Sequence, residues 1–260
     1  MRAKKRYGQH FLQGVWADKL VDAIQPRSDD RFLEIGPGPG ALTLRLAPRV
    51  AHLTAIEVDP DMVAQLQPQL PANVTLIQDD FLDADLSALL GSAAVRVAGN
   101  LPYNVSSPIL FRILDLHRTR GGIGDATFML QREVAERIES APGTKDYGVL
   151  SILVQLHADV RRVLTLPPGA FRPQPKVHSA VVRLAFRPPA VALSDEVAFE
   201  RMVRSMFTQR RKTLANALKP FAEREGRPAS EALAAAGIDP SRRPETLQLT
   251  ELARLADAFR

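Results

Sequence analysis

The stretch FLEIGPGPGALTL, residues 32–44, passes from a short apolar run through a glycine-rich turn into a helical pattern. A strand, a glycine turn and a helix in this order are typical of cofactor-binding α/β sheets, because glycines let a ligand approach the backbone closely. The turn also fits the loose fingerprint Gly36-x-Gly38-x-x-Ala41, and the acidic Glu57 follows about 20 residues later. The stretch therefore predicts a cofactor site where the first strand ends, although a purely structural turn would use the same glycines.

Two features of this turn favour S-adenosylmethionine over a dinucleotide. Pro37 and Pro39 lack the backbone N–H groups that such a turn would otherwise donate to a pyrophosphate. Glu34, near the end of the strand, adds a negative charge that repels phosphates and attracts an ammonium group. S-adenosylmethionine carries an ammonium and a sulfonium and has no phosphate, so it fits this turn better than NAD.

Strand and helix patterns alternate along the first two thirds of the chain, which predicts an α/β fold with a parallel, doubly wound sheet. The segment SSPILFRILDL, residues 106–116, is helical, with Pro108 in its first turn. The strand-like runs are residues 31–35, 52–58, 74–77, 95–98 and 127–130, with 160–166 and 180–186 as further edge strands.

The stretch RPPAVALSDEV, residues 187–197, has the composition of a linker, and only helical patterns follow it. The sequence therefore predicts a Rossmann-like domain over residues 1–187, whose basic N-terminal segment acts as a lid. A small all-helical C-terminal domain is predicted over residues 188–260. One helical stripe within this second domain is formed by Val203, Phe207, Leu214 and Leu218.

Acidic residues also follow the next two predicted strands. Glu57 ends the second strand, where its carboxylate can accept both hydroxyls of a ribose. Asp80 follows the third strand and can accept the 6-amino group of adenine, and by periodicity its neighbour Asp79 is an equal competitor. Because ligands in such sheets bind at the carboxyl ends of the strands, these acids and the glycine turn are expected to line one crevice. Each acid alone could equally be a helix cap or a turn residue.

The stretch GNLPYN, residues 99–104, follows the fourth predicted strand at the same edge. The amino group of adenine is a poor nucleophile because its lone pair is delocalised into the ring. Two acceptors aimed at its hydrogens, the Asn100 side-chain oxygen and the Leu101 carbonyl oxygen, would stabilise the positive charge that develops during methyl transfer. Pro102 fixes the turn, and Tyr103 offers a ring face on which an extruded base can stack. The pattern predicts an amine methyltransferase site, with a polar turn as the alternative.

The composition excludes several other kinds of protein. The chain has 260 residues, 45% of them hydrophobic, and no apolar run long enough to span a membrane. It has no cysteine, no H-E-x-x-H spacing and no G-x-S-x-G elbow, so neither a metal site nor a covalent nucleophile is predicted. The N-terminus lacks the apolar segment of a secretory signal, which indicates a cytoplasmic protein.

The net charge of +5 is unevenly distributed along the chain. Residues 1–27 carry six basic residues against two acidic ones, and residues 158–220 carry twelve against four. The segment between them, residues 28–157, carries ten against sixteen. Two basic flanks around an acidic middle suit binding to a polyanion such as nucleic acid, although a solvated surface would give the same composition.

Several motifs together resemble one known family. The combination is similar to the ribosomal RNA adenine dimethyltransferase family, and most similar to its small-subunit members. The resemblance implies an S-adenosylmethionine-dependent enzyme that converts two adjacent adenosines near the 3′ end of small-subunit (16S) rRNA to N6,N6-dimethyladenosine. The motifs are KKRYGQHFL (4–12), EIGPGPGALT (34–43), GNLPYNVSSPI (99–109), MLQREVAERI (129–138), FRPQPKVHSAVVRL (171–184) and FTQRRKTLANAL (207–218).

The resemblance also implies roles for single residues around the cofactor. It places Gly36 at the methionine end, Glu57 at the ribose and Asp80, rather than its neighbour, at the adenine. Asn100 falls on the methyl-transfer site. Many members have Asn where this chain has His10, so a contact through the backbone is more secure than one through the side chain. The residues implied to bind the cofactor, the first two as parts of the lid, are His10, Leu12, Glu34, Gly36, Gly38, Glu57, Asp80 and Asn100.

Other implied roles concern the substrate. Asn100, Leu101 and Tyr103 are the implied catalytic residues, and Phe171 is expected to pack against the target base on the side opposite Tyr103. Phe11 is expected to pack the N-terminal segment over the cofactor, together with Tyr7. The basic residues implied to contact RNA are Lys4, Lys5 and Arg6 in the N-terminal segment and Arg210, Arg211 and Lys212 in the helical domain.

Three alternatives to this function are left open by the sequence. A large-subunit rRNA adenine methyltransferase that confers macrolide resistance would share the site chemistry and differ only in its target. An NAD-dependent Rossmann oxidoreductase would need a proton donor–acceptor near the hydride site, and no such group stands out. A non-catalytic assembly factor for small subunits would bind RNA without transferring a methyl group. The main prediction is a monomer whose partners are rRNA and the small ribosomal subunit or its precursor.

Overall fold

The computed structural model describes residues 9–260, so the implied roles of Lys4, Lys5, Arg6 and Tyr7 lie outside the described residues. The strands are β1 (Phe11–Leu12), β2 (Arg31–Ile35), β3 (His52–Glu57), β4 (Val74–Gln78), β5 (Val95–Asn100), β6 (Ile123–Gln131), β7 (Ala158–Leu166), β8 (Phe171–Arg172) and β9 (Ser179–Phe186). The helices are α1 (Gly14–Ile24), α2 (Thr43–Leu46), α3 (Pro60–Leu66), α4 (Leu86–Leu90), α5 (Ser106–Arg120), α6 (Arg132–Glu139), α7 (Val149–His157), α8 (Glu196–Phe207), α9 (Leu214–Ala217), α10 (Lys219–Glu225), α11 (Ala229–Ala235) and α12 (Leu249–Asp257).

A seven-stranded sheet with the order β4-β3-β2-β5-β6-β9-β7 forms the centre of the first part of the chain. β2 pairs in parallel with β3 and β5, and the β3–β4 and β5–β6 pairs are also parallel. The strand β9 is antiparallel to β6, so the sheet is parallel except at this edge. The predicted doubly wound α/β fold is therefore confirmed. The strand order changes direction between β2 and β5, and open α/β sheets bind ligands at such a point.

The approach of β5 to β2 explains one glycine of the GNLPYN stretch. Gly99 pairs with Ile35, and a Cβ atom on Gly99 would lie 2.7 Å from the Ile35 carbonyl oxygen. Only a residue without a side chain allows the two strands to approach this closely. The separation of Asn100 from the glycine turn after β2 therefore depends on Gly99.

We expect Gly99→Ala to lower the free energy of unfolding by about 1–3 kcal/mol, because the added methyl group forces β5 away from β2. The matched control is Gly124→Ala on β6, where the added Cβ would have no atom within 4 Å. This control should change stability by less than about 0.5 kcal/mol. Urea unfolding of both variants measures the difference. Equal urea midpoints for the two variants would show that the close approach of β5 to β2 does not require glycine at position 99.

The chain divides into two compact units, and the division differs from the predicted single boundary after residue 187. The first unit comprises the described residues up to Ala135 together with Asp159–Phe186. The second comprises Glu136–Ala158 and Arg187–Arg260. No helix within residues 9–260 is both long and apolar enough to cross a membrane.

Specific contacts hold residues 136–158 to the second unit. The Arg187 guanidinium donates hydrogen bonds to the Leu156 and Gln155 carbonyl oxygens at 3.1 and 3.0 Å. His157 Nε2 lies 2.9 Å from Glu196 Oε1 at the start of α8. Seven of the nine residues of α7 are buried, so this helix lacks the polar face by which sequence periodicity identifies a helix. The sequence pattern therefore did not indicate that α7 belongs to the second unit.

The predicted helical stripe in the second unit is interrupted. Helix α8 ends at Phe207 and α9 begins at Leu214, so Val203 and Leu218 do not share one helix. All but Phe207 of these four side chains are fully buried, as the apolar pattern indicated. The predicted stripe is therefore divided between two helices, and three of its four side chains are buried.

Candidate active site

A cleft of about 280 Å³ opens at the carboxyl ends of the parallel strands, near the small end of the usual range for ligand sites. Loops after β2, β3, β4 and β5 form its walls, and the segment that contains β1 forms another. The cleft lies within the first unit. The predicted residues that it brings together are His10, Leu12, Glu34, Gly36, Gly38, Glu57, Asp80, Asn100, Leu101 and Tyr103.

The glycine turn after β2 leaves room for a ligand beside the backbone. Gly36 and Gly38 have φ angles of +66° and +54°, in the left-handed region that favours glycine. A Cβ atom on Gly36 would have no neighbour within 4 Å. The Gly36 N–H donates to the Ile56 carbonyl oxygen at 2.9 Å, which holds the turn against β3. The turn is therefore fixed in place and still open towards the cleft.

Glu57 is held in place by two backbone donors. The Gly38 N–H donates to its Oε2 atom and the Asp59 N–H to its Oε1 atom, each at 2.9 Å. The residue is 6% exposed, and burial raises the pKa of its carboxyl group above the usual value. Each carboxylate oxygen has a second lone pair, so Glu57 can still accept both hydroxyls of a ribose.

Glu34 is a buried acid with an unsatisfied oxygen atom. Its side chain is 2% exposed, and its Oε2 atom has no hydrogen-bond partner within residues 9–260. Burial, assisted by the nearby negative charge of Glu57, raises the pKa of Glu34 to about 8. Thr43 acts in the opposite direction and lowers the pKa of Glu34. The Thr43 hydroxyl forms no hydrogen bond with any residue within 9–260. A cation beside Glu34 would restore its charged form, as the ammonium of S-adenosylmethionine can do.

We expect the stability of the free protein to fall between about pH 4.5 and pH 8 because of Glu34. In this window the native state keeps a proton that the unfolded chain has released. Glu34→Gln removes this proton linkage, so the variant should gain about 2–5 kcal/mol relative to the wild type between pH 5 and pH 9. Urea unfolding of both proteins across this range measures the difference. A difference independent of pH would contradict a buried, neutral Glu34.

Asp79 and Asp80 both lie at the mouth of the cleft, and both are exposed. Asp79 Oδ1 accepts the Asp80 N–H at 2.8 Å, and Asp80 Oδ1 accepts the Leu82 N–H at 2.9 Å. The carboxylates therefore stabilise the same turn in similar ways. The geometry does not favour one of the two carboxylates, so the assignment of Asp80 as the adenine ligand stays a prediction.

Asp80→Ala should weaken binding of S-adenosylhomocysteine by about tenfold to a hundredfold, because a hydrogen bond to a charged acceptor is lost. Asp79→Ala is the matched control and should change the affinity less than threefold, roughly the effect of a surface substitution. Isothermal titration calorimetry compares the two. A larger loss in Asp79→Ala would exchange the roles of the two residues.

Asn100 ends β5 with its side chain in a defined orientation. Its Nδ2 atom donates to the His10 carbonyl oxygen at 2.8 Å. A carbonyl oxygen can only accept, so the amide nitrogen must face His10 and the amide oxygen must face away from it. The Leu101 N–H donates to the Met129 carbonyl oxygen at 3.1 Å, and no residue within 9–260 donates to the Leu101 carbonyl oxygen. Two acceptors are therefore available beside the cleft.

Tyr103 is half-buried next to these acceptors. Its hydroxyl lies 2.7 Å from Ser179 Oγ on β9, and burial raises the pKa of the phenol. Its ring stacks on the His10 imidazole with a centroid distance of 5.3 Å and an interplanar angle of 28°. The ring is therefore fixed at both its hydroxyl and its face.

The segment from Gln9 to Gln13, called here the strap, is attached at several points. Gln9 Nε2 donates to Asp59 Oδ2 at 2.9 Å, and Asp59 is also the N-cap of α3. The Gln13 N–H donates to the Ala170 carbonyl oxygen at 2.9 Å. Sequence reasoning missed Gln9 and Asp59, although an Asp directly before Pro60 is a recognisable helix start.

Phe171 corrects one prediction about the substrate. Its side chain is 1% exposed and belongs to a core cluster that includes Leu20 and Ile24 of α1. It does not line the cleft, so in this structure it is not placed to pack against a base opposite Tyr103. On the two-residue strand β8 successive side chains point to opposite sides, so Phe171 faces the core while Arg172 is exposed.

The three basic residues of the second unit that were predicted to contact RNA have different surroundings. Arg210 lies 3.3 Å from Glu245 Oε2 and donates to the Thr144 carbonyl oxygen at 3.2 Å. Its guanidinium therefore holds the local structure together. Arg211 and Lys212 are exposed, and neither forms an ion pair with a carboxylate within residues 9–260.

The sheet and the cleft together define a class of protein. A doubly wound sheet with an open glycine turn after β2, a buried acid at the end of β3 and an amide at the end of β5 is the arrangement of a Rossmann-like S-adenosylmethionine-dependent methyltransferase. The unsatisfied Glu34 oxygen and the open space at Gly36 fit the methionine end of that cofactor. Glu57 fits its ribose.

Similarity to known proteins defines the family. Residues 1–259 match the family described as ribosomal RNA adenine dimethylase. Ribosomal RNA small subunit methyltransferase A of Geobacter metallireducens is 47% identical over an alignment of 270 positions, which covers 100% of this chain and 96% of that protein. The protein of the same name from Anaeromyxobacter sp. (strain K) is 48% identical, over 98% of this chain and 93% of its own length. This chain belongs to the ribosomal RNA adenine dimethylase family.

Two solved structures share the fold. A dimethyladenosine transferase from Plasmodium falciparum has a TM-score of 0.77 at 25% identity, and the match covers 95% of this chain and 96% of that one. The 23S rRNA methyltransferase ErmE has a TM-score of 0.66 at 26% identity, covering 96% and 99%. Because the chain belongs to this family, the alternative function of an NAD-dependent oxidoreductase is rejected.

Proposed function

We propose that this protein transfers methyl groups from S-adenosylmethionine to the 6-amino groups of two adjacent adenosines near the 3′ end of 16S rRNA. It would act as a cytoplasmic monomer during maturation of the small ribosomal subunit. The relatives at 47% and 48% identity are named as small-subunit methyltransferases, which supports this target. The observation that carries the chemistry is a pair of oxygens beside the cleft, Asn100 Oδ1 and the Leu101 carbonyl oxygen, to which no residue within 9–260 donates.

Holding the cofactor is the first task of the cleft. Glu57 would accept the ribose hydroxyls, Asp80 the adenine amino group, and Glu34 would face the ammonium group at the open turn of Gly36. When bound, S-adenosylmethionine supplies an electrophilic methyl group on a positively charged sulfur. Because Glu57 and the turn are fixed by backbone hydrogen bonds, little reorganisation is needed on binding.

Activating the adenine nitrogen is the second task. Hydrogen bonds from the amino group to Asn100 Oδ1 and the Leu101 carbonyl oxygen draw its hydrogens out of the ring plane and localise the lone pair on nitrogen. The same two oxygens stabilise the positive charge that forms on this nitrogen during transfer. As the bond from nitrogen to the methyl carbon forms, the bond from that carbon to sulfur would break, S-adenosylhomocysteine would leave and the nitrogen would then lose a proton to water. Neither oxygen has to gain or lose a proton, so positioning and electrostatics supply most of the rate enhancement. Tyr103 would support the extruded base.

Binding the rRNA requires positive charge outside the cleft. Arg211 and Lys212 on the second unit are exposed, and they would contact phosphates there. Arg210 would act indirectly, since it is already paired with Glu245. Contacts of this kind weaken steeply with salt, so rRNA binding should be strongly salt-dependent.

The direct test is incubation with isotope-labelled S-adenosylmethionine and small subunits that lack the modification, followed by mass spectrometry of the rRNA. The proposed function predicts two dimethylated adenosines near the 3′ end. Unmodified large subunits serve as the parallel substrate, because the structural likeness to a 23S rRNA methyltransferase makes them the main alternative target. Methylation of the large subunit alone would contradict the proposed target.

A further inference from the structure

His10 contacts the proposed methyl-transfer site in two separate ways. Its main-chain oxygen accepts the hydrogen bond from Asn100 Nδ2 at 2.8 Å. Its imidazole Nδ1 atom lies 2.8 Å from the Pro173 carbonyl oxygen, while the ring stacks on Tyr103. A carbonyl oxygen only accepts, so Nδ1 carries the proton of this hydrogen bond. The backbone of His10 thus orients the amide, and its side chain covers the aromatic platform.

The imidazole occupies space that the target base would need. A base inserted between two rings requires about 7 Å between them, twice the closest separation of stacked atoms. The centroids of the His10 and Tyr103 rings are only 5.3 Å apart. Tyr103 cannot simply move away, because its hydroxyl is bonded to Ser179. The imidazole must therefore leave before a base can stack on the ring face that it covers.

We propose that the His10 imidazole is a placeholder for the target adenine and thereby a specificity-determining residue. It occupies the stacking face of Tyr103 in the free protein and is displaced when RNA delivers the base. This inference rests on the proposed function, since it concerns the same site.

The placeholder favours large RNA substrates over short ones, because only a tightly bound substrate can displace the imidazole. A short nucleotide gains little besides stacking, so losing the histidine stack and the Pro173 hydrogen bond cancels most of its binding. A ribosomal particle would bind through many phosphate contacts outside the cleft and could displace the imidazole at little relative loss. The residue should therefore reduce the reaction with free nucleotides and short RNA more than the reaction with subunits.

The test compares His10→Ala with the wild type for binding of adenosine 5′-monophosphate. Both proteins are first saturated with S-adenosylhomocysteine, so that the nucleotide cannot enter the cofactor pocket. We expect the variant to bind the nucleotide about tenfold more tightly, because it has no stack to displace. The backbone contact to Asn100 is retained in this variant, so the amide keeps its orientation.

Two further variants serve as controls. His10→Phe keeps an aromatic ring on Tyr103 and should bind the nucleotide no more tightly than the wild type. His178→Ala removes an exposed histidine from the loop between β8 and β9 and should also leave the affinity unchanged. Thermal unfolding of all variants with S-adenosylhomocysteine bound verifies that the cleft is intact.

The outcomes separate this inference from the proposed function. Weaker nucleotide binding by His10→Ala would show that the imidazole forms part of the base site. Equal binding by the two proteins, including no detectable binding by either, would show that the imidazole does not block the site. Either result overturns the proposal. In a parallel assay, His10→Ala should increase methyl transfer to a short single-stranded RNA relative to transfer to subunits. If the wild type fails to methylate small subunits while His10→Ala still binds the nucleotide more tightly, the proposed target is wrong and the placeholder stands.

Discussion

Asn100→Ala should lower kcat for methyl transfer by about 10²- to 10³-fold, the usual effect of removing one preorganised group that stabilises transition-state charge. The side-chain oxygen is one of the two proposed acceptors for the adenine amino group. The Leu101 carbonyl remains in the variant, so some activity should persist. Single-turnover transfer to small subunits, with saturating cofactor, measures the chemical step without interference from product release.

Two further measurements make this result specific. Asn104→Ala, an exposed asparagine in the same loop, should retain activity within about threefold. Binding of S-adenosylhomocysteine by Asn100→Ala should fall far less than kcat does. Unchanged transfer by Asn100→Ala would remove the amide from the mechanism, and a variant that binds subunits without methylating them would separate assembly from catalysis.

Glu57→Ala should weaken binding of S-adenosylhomocysteine by about 10²- to 10³-fold. The carboxylate would accept two ribose hydroxyls, and each hydrogen bond to a charged acceptor contributes about 1.5–3 kcal/mol. The variant also leaves the Gly38 and Asp59 N–H groups without their acceptor, which loosens the glycine turn. Isothermal titration calorimetry gives the affinity directly.

Glu57→Gln and Glu223→Ala test the reason for this loss. The glutamine keeps the shape of Glu57, but its amide nitrogen faces one of the two backbone donors, so it should still lose about tenfold or more. Glu223 is an exposed acid in the second unit, and its replacement should leave the affinity unchanged. Full cofactor affinity in Glu57→Ala would place the ribose elsewhere.

Local sequence patterns were sufficient for most of the sheet and for the cofactor end of the cleft. The strand β2 was predicted at its observed bounds, Arg31–Ile35, because the glycine turn marks its end. The strands β3, β4 and β5 were found within two residues for the same reason, since polar or turn residues follow each of them. Parallel strands bring their carboxyl ends to one edge, so the order of motifs along the chain was enough to predict that they meet.

Contacts between distant segments could not be predicted in this way. The strap joins β8 through a two-residue pairing, which is too short to leave a periodic pattern. The His10–Asn100 hydrogen bond links residues 90 positions apart, and nothing in either local stretch indicates it. Phe171 was assigned by resemblance to the base site, yet its place on β8 turns it into the core. Tertiary packing decided each of these cases.

The most direct test of the account is a crystal structure with S-adenosylhomocysteine and a short RNA that contains the target adenosines. The account predicts that the 6-amino nitrogen of one adenosine lies within about 3.2 Å of both Asn100 Oδ1 and the Leu101 carbonyl oxygen. An amino nitrogen bound to other groups, with those two oxygens contacting only protein or water, would contradict it.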